Sequence, residues 1–184
     1  MGSSTGDMLV DNSATLNEIF SKVKTLIALH CEVDPMIKAN LERFKEQYGE
    51  DVPVTAHHLI RDEAACYASS SAAVEMAKRH GTRLHILHIS TAKELDLFRN
   101  DIPLKEKQIT AEACTHHLWF TNDDYATKGN YIKWNPAVKT PVDQAEVLKA
   151  VLADLAEGVN LEASLEARAG GMETLEKGFA AYVT

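Results

Sequence analysis

Two short apolar runs separated by a long helically patterned stretch restrict this chain more than any other feature. Residues 25–30 (TLIALH) and 83–89 (RLHILHI) are mostly apolar, as expected of strands buried on both faces. Between them, Ile37, Leu41, Phe44 and Tyr48 recur at helical spacing, and Gly49 ends that pattern. Asp34 reads as the N-cap of this helix and Pro35 as its first residue. A second helical stretch covers 59–80 and closes at Gly81. Strand, helix and strand in this order predict βα units on a parallel sheet.

The remaining segments extend the same pattern. Leu16, Ile19, Phe20 and Val23 share one face of a helix over 13–23. Thr91 and Glu94 have capping-box spacing before a short helix reaching about 99. Residues 108–113 form a third strand candidate, followed over 121–140 by a loop carrying Asn, Gly and Pro. Thr140 to Asp143 starts another helix, with Val147, Leu148, Val151, Leu152 and Leu155 on one face. From Val159 the chain alternates like a strand, yet it is rich in the helix formers Leu, Glu and Ala. Helix is the preferred assignment there, with Gly170 and Gly171 breaking it and Leu175, Phe179, Tyr182 and Val183 suggesting a last amphipathic helix. The expected division is a domain over 1–158 and a divergent tail over 159–184.

Composition limits the function classes. The 184 residues are 45% hydrophobic and 25% charged, an ordinary globular balance. Nineteen Lys and Arg against 27 Asp and Glu leave a net charge of −8. With no basic block, neither nucleic acid nor an anionic membrane is an expected partner. Cys31, Cys66 and Cys114 are odd in number and widely spaced. Reduced thiols in a cytoplasmic protein fit that better than a disulfide framework. The first residues have no positive stretch leading into an apolar one, so no secretory signal is expected.

The histidines point to chemistry. His30 closes the first strand, in LHCE, and His88 lies near the end of the second, in LHILHIS. Parallel α/β folds build their sites at that edge. Strand alternation puts Leu84, Ile86 and His88 on one face and His85 and Leu87 on the other. On that parity His88 faces a barrel interior and His85 faces the surrounding helices. His30 and His88 are therefore candidate metal ligands, or else merely polar residues at strand ends. His57–His58 and His116–His117 fall in loop-like sequence and read as solvated or hydrogen-bonded pairs. Asp62 and Glu63 read as charges that complement a helix start. Asn135, in the 133–136 loop (KWNP), can offer a donor and an acceptor to an amide-like ligand. Cys31 reads as a buried, inert thiol.

Together these segments resemble dihydroorotase, a cyclic amidohydrolase of the metal-dependent (β/α)8 barrel superfamily. The matching stretches are GSSTGDMLVD at 2–11, LHCE at 29–32 and HHLIRDEAACYASSSAAVEMA at 57–77. RLHILHIST at 83–91, ITAEACTHHLWF at 109–120 and YIKWNPAVKT at 131–140 follow in the family's order. The resemblance covers about 2–157 and fades after Gly158.

The resemblance implies an α/β fold: a partial (β/α)8 barrel holding roughly strands five to seven and their helices, with a divergent helical tail. It implies that His30 and His88 hold the second of two zinc ions, and that Asn135 binds the pyrimidine ring or its carbamoyl precursor. The implied reaction is reversible, zinc-dependent closure of N-carbamoyl-L-aspartate to dihydroorotate. The family also carries a His-x-His pair, a metal-bridging lysine and a catalytic aspartate, and this sequence has no counterpart of them. A complete barrel typically takes about 250 residues. The chain alone is thus expected to hold at most a partial zinc site, with no catalytic residue of its own and with sheet edges open to oligomerisation. A non-catalytic interaction module and a hydantoinase or allantoinase relative are the alternatives; the YIKWNPAVKT and HHLIRDEAACY segments favour dihydroorotase.

Overall fold

Helix α1, Ser13–Lys22, starts where the Asn12 side chain accepts a hydrogen bond from the Thr15 amide at 3.0 Å. That contact satisfies one of the amides a helix start leaves bare. The helix buries Leu16 and Phe20, the centre of its anticipated apolar face. The computed structural model describes residues 10, 12–99 and 101–158. Most of the 2–11 segment and the whole tail from 159, with its expected helices, lie outside the described residues. The chain divides into two compact units, Met1–Ala150 and Val151–Thr184. The sheet and every site residue discussed below belong to the first.

Three strands form a parallel sheet in the order β1-β2-β3: Ile27–Leu29, Leu84–Ile86 and Ile109–Ala111. Ile27 pairs with Leu84 and Leu84 with Ile109, so the strands are in step. Parallel neighbours need a crossover. The first is supplied by α2 (Asp34–Tyr48), α3 (His57–Ile60) and α4 (Glu63–His80). After β3 come α5 (Thr115–Trp119), α6 (Tyr125–Lys128) and α7 (Pro141–Gly158).

The main core forms where α4 lays a small-residue face on the sheet. Ala73, Val74 and Ala77 meet Leu84, Ile86, Ile89, Cys31 and Phe20 of α1, all nearly inaccessible to solvent. Burying a side chain such as Ile86 contributes about 1.5–3 kcal/mol. The alanines let the helix approach closely, and a larger side chain there would overpack by about 1–3 kcal/mol. A second cluster gathers Ile37, Ala56, Ile60 and Ala65 under α2.

Four expectations change. Asp34 is the first residue of α2, with Val33 at the N-cap. The stretch 59–80 is not one helix. Arg61 leaves helical backbone (φ −100, ψ 66), and Asp62 caps α4 by accepting from the Ala65 amide at 2.8 Å. His57 and His58 lie on α3, not in a loop. Thr91 and Glu94 do bond each other, yet the turn they open, Lys93–Leu97, is 3-10 and not α.

Strand parity is also corrected. Leu84 and Ile86 face the helices, because that side buries the apolar pair against α4. His85 faces the other way, with Nδ1 2.8 Å from Thr110 Oγ1 and Nε2 3.3 Å from Glu112 Oε2. The alternation then stops, since His88 adopts φ 42. A non-glycine residue rarely enters that left-handed region, and doing so costs about 1–3 kcal/mol.

Candidate functional site

His30 follows directly on the C-terminal end of β1, and His88 lies two residues beyond the end of β2. The Leu87 amide still donates to the Leu29 carbonyl at 3.0 Å, which keeps the two chains side by side beyond the strands. His30 Nδ1 then lies 2.5 Å from His88 Nε2, with ring centroids 4.7 Å apart. That separation is below the usual hydrogen-bond range of about 2.7–3.2 Å. Burial, and then the neighbouring His30, hold His88 below the usual histidine range, so it is neutral near pH 7. A zinc ion bound by both nitrogens would space them about 3.3 Å apart, so the two rings must part by about 0.8 Å to hold a single divalent cation. The left-handed backbone of His88 is strain of the kind that collects at functional sites.

Beside this edge lies a buried charge group that sequence reasoning missed. Glu32 and Arg61 are 6% and 9% exposed and meet at 2.5 Å between Oε2 and Nη1. Glu94 is 2% exposed and accepts from the Ser90 amide at 3.3 Å and from Thr91 Oγ1 at 2.9 Å. Lys139 is 5% exposed and donates to the Ala137 carbonyl at 2.9 Å. Burial pushes both Glu32 and Glu94 above the usual carboxylate range; Arg61 and Lys139 pull Glu32 down, and Lys139 pulls on Glu94. Two acids and two cations thus balance in a region with little water. They tie the end of β1 to the α3–α4 junction and to the approach to α7.

The loop carrying Asn135 is held from both sides by histidines of the pairs expected to be solvated or hydrogen-bonded, and both are hydrogen-bonded. His57 Nε2 donates to the Trp134 carbonyl at 2.8 Å, and His117 Nε2 donates to the Pro136 carbonyl at 3.0 Å. Both rings are buried, at 7% and 4% exposure. Burial pushes His57 down to about 4 and His117 down to about 3. Near pH 7 both rings are therefore neutral, and a carbonyl acceptor fixes the proton on Nε2. Asn135 itself is exposed. It lines a cavity of about 340 Å³ with Arg61, Lys133, Asn130, Ile37 and Leu41. His30 and His88 do not line that cavity.

His117 belongs to a second group as well. Cys114, His116 and His117 each bring one possible ligand atom within 4.8 Å of the other two. The His116 ring stacks on Trp134 with centroids 4.3 Å apart. The close spacing of CTHH is the signal that sequence inspection passed over. Cys31 and Cys66, by contrast, are buried thiols pushed up to about 12 by desolvation.

No protein-family model matches the sequence. Among curated proteins, the dihydroorotase of Methanosphaera stadtmanae is 30% identical over 128 residues, covering 67% of this chain and 29% of that protein. The dihydroorotase of Carboxydothermus hydrogenoformans is 40% identical over 86 residues, 47% of this chain and 19% of that protein. The allantoinase of Bacillus velezensis is 31% identical over 129 residues, 70% of this chain and 28% of that protein. Among solved structures, the L-hydantoinase of Arthrobacter aurescens superposes with a TM-score of 0.70 at 24% identity, over 80% of this chain and 33% of that one. The chain thus spans about a third or less of the length of these relatives. In sequence and in fold it belongs to the amidohydrolase superfamily and is dihydroorotase-like over the residues matched.

Proposed function

We propose that this chain serves a zinc-dependent cyclic-amide hydrolase site of the dihydroorotase kind, which interconverts dihydroorotate and N-carbamoyl-L-aspartate. His30 and His88 would hold zinc, and Asn135 would bind the pyrimidine ring or its opened form. The observation that carries this is the approach of His30 Nδ1 to His88 Nε2 at 2.5 Å, at the C-terminal edge of a parallel sheet. Bound there, zinc would polarise the ring amide as a Lewis acid and lower the pKa of a water. The residues of the chain do the positioning. The neutral state of His88 leaves a ring nitrogen able to bind a cation. The His57 and His117 hydrogen bonds hold the backbone on either side of Asn135, so that its amide meets a ring with little loss of side-chain freedom. The three strands are read as consecutive strands of a (β/α)8 barrel, with the outer edges of β1 and β3 receiving further strands.

The acidic substrate is favoured over a neutral hydantoin by charge. Dihydroorotate and its opened form carry carboxylates, and exposed Lys133 lines the same cavity as Asn135. The second reading, an allantoinase or hydantoinase type, is favoured by the allantoinase relative and the hydantoinase structures.

Calorimetric titration of the purified chain separates these readings. His30→Ala and His88→Ala are each expected to weaken zinc binding by more than the roughly 10–100-fold that losing a mere supporting residue costs. Asn135→Ala is expected to weaken dihydroorotate binding, with hydantoin and allantoin competing poorly. Unchanged zinc affinity in both histidine variants refutes the metal assignment. Equal binding of hydantoin and dihydroorotate refutes the substrate assignment.

A further inference from the structure

We propose that Cys114, His116 and His117 form a separate zinc site built on the loop-to-helix turn after β3. Their candidate ligand atoms lie within 4.8 Å of one another. A tetrahedral zinc with bonds of about 2.0–2.3 Å spaces its ligand atoms about 3.3–3.8 Å apart. The trio therefore needs to close by at most about 1–1.5 Å to hold the ion.

Each ligand is prepared for this. His117 donates Nε2–H to the Pro136 carbonyl at 3.0 Å, so its other nitrogen, Nδ1, carries the lone pair. That Nδ1 is buried and has no hydrogen-bond partner. A buried acceptor left without a partner costs about 1–3 kcal/mol, and a cation would relieve it. An imidazole bound by one nitrogen while the other donates to a backbone carbonyl is the usual support of a metal-ligating histidine. His116 is held in plane by Trp134 at 4.3 Å between centroids. Cys114 occupies the N-cap of α5, yet its thiol makes no capping hydrogen bond. One thiolate and two imidazoles suit zinc, and three protein ligands leave a fourth position open. Binding releases the Cys114 proton to solvent as the sulfur–zinc bond forms. Because Trp134 and Pro136 flank Asn135, the ion would also brace that loop.

Cobalt(II) is the probe, since sulfur ligation gives it a near-ultraviolet charge-transfer band that imidazoles alone do not. Titration of the full chain is expected to raise this band, saturating near one equivalent and bleached by added zinc. His30→Ala/His88→Ala should retain the band, which separates this site from the one proposed above. Cys114→Ser should abolish it, and His116→Gln should weaken it with the thiol still present. Zinc should also slow iodoacetamide alkylation of Cys114 by about tenfold or more, since a ligated sulfur is no longer a free nucleophile. Absence of the band in the wild-type chain overturns the proposal. So does an undiminished band in Cys114→Ser, or an alkylation rate indifferent to zinc.

Discussion

Protonation of His57 is expected to make stability fall as the solution is acidified, by an amount that follows from its burial. In the unfolded chain its imidazole has an ordinary pKa of about 6.5. In the folded chain, desolvation pushes it down to about 4. Above about pH 6.5 neither state binds the proton. As the pH falls through that value the unfolded chain takes the proton first, so the folded state loses ground until about pH 4 and no further. The full span of about 2.5 pKa units corresponds to about 3 kcal/mol, of which about 2 kcal/mol falls between pH 7 and pH 5. The perturbation is His57→Gln, whose amide can still donate to the Trp134 carbonyl but does not titrate. Urea unfolding of both proteins at pH 7 and pH 5 measures the effect. Other buried histidines add their own losses, so the difference between the two proteins is the quantity read. The variant should lose about 2 kcal/mol less than the wild type, a relative midpoint shift of about 1 M urea. Equal losses in the two proteins would refute the burial argument, and with it the view that His57 is a neutral donor to the Asn135 loop.

The buried Glu32–Arg61 pair gives a second expectation: Arg61→Met leaves an uncompensated carboxylate and should cost about 3–5 kcal/mol in thermal or urea unfolding. Adding Glu32→Gln should recover part of that, and a double variant no more stable than Arg61→Met would sink the pairing argument. At His88, φ is 42, so His88→Gly should be more stable than His88→Ala by about 1 kcal/mol; identical melting temperatures would count against the strain. Gly81 ends α4 at φ 64 with room for a Cβ, whose nearest contact is Gln108 Nε2 at 3.9 Å. Gly81→Ala should therefore cost only the backbone term, about 1 kcal/mol by chemical denaturation, and a loss above about 3 kcal/mol would point to a clash.

What the sequence made legible was local. β1 and β2 lie inside 25–30 and 83–89, because strands covered on a helical face must be apolar in a row, and that signal survives without any partner. His30 and His88 stood out because each lies at or near the C-terminal end of such a run. The failures were long-range. The face of β2 that meets the helices is set by Ala73, Val74 and Ala77 of α4, and alternation alone does not say which side those occupy. The break at Arg61 reflects its pairing with Glu32, 29 residues earlier, and the hydrogen bond that Asp62 accepts from the Ala65 amide at the α4 start. The His57 and His117 rings donate to carbonyls 77 and 19 residues away in the sequence, contacts that local spacing does not signal. A histidine pair in polar surroundings looks the same whether its ring meets water or a distant carbonyl.

The 134–136 loop is where these long-range contacts acquire a shared consequence. Its Trp134 carbonyl accepts from His57 on α3, its Pro136 carbonyl accepts from His117 on α5, and its Trp134 ring covers His116. Asn135 sits between those fixed points, open to the cavity that Lys133 and Arg61 also line. A binding amide is most effective when its backbone is already ordered, because little freedom remains to be lost on contact. Two neutral buried donors achieve that without placing a charge beside the ligand. An ion at Cys114, His116 and His117 would hold the same loop through the ring and the carbonyl that contact those histidines. Ordering of Asn135 and metal binding would then be linked, each favouring the other by the same free energy.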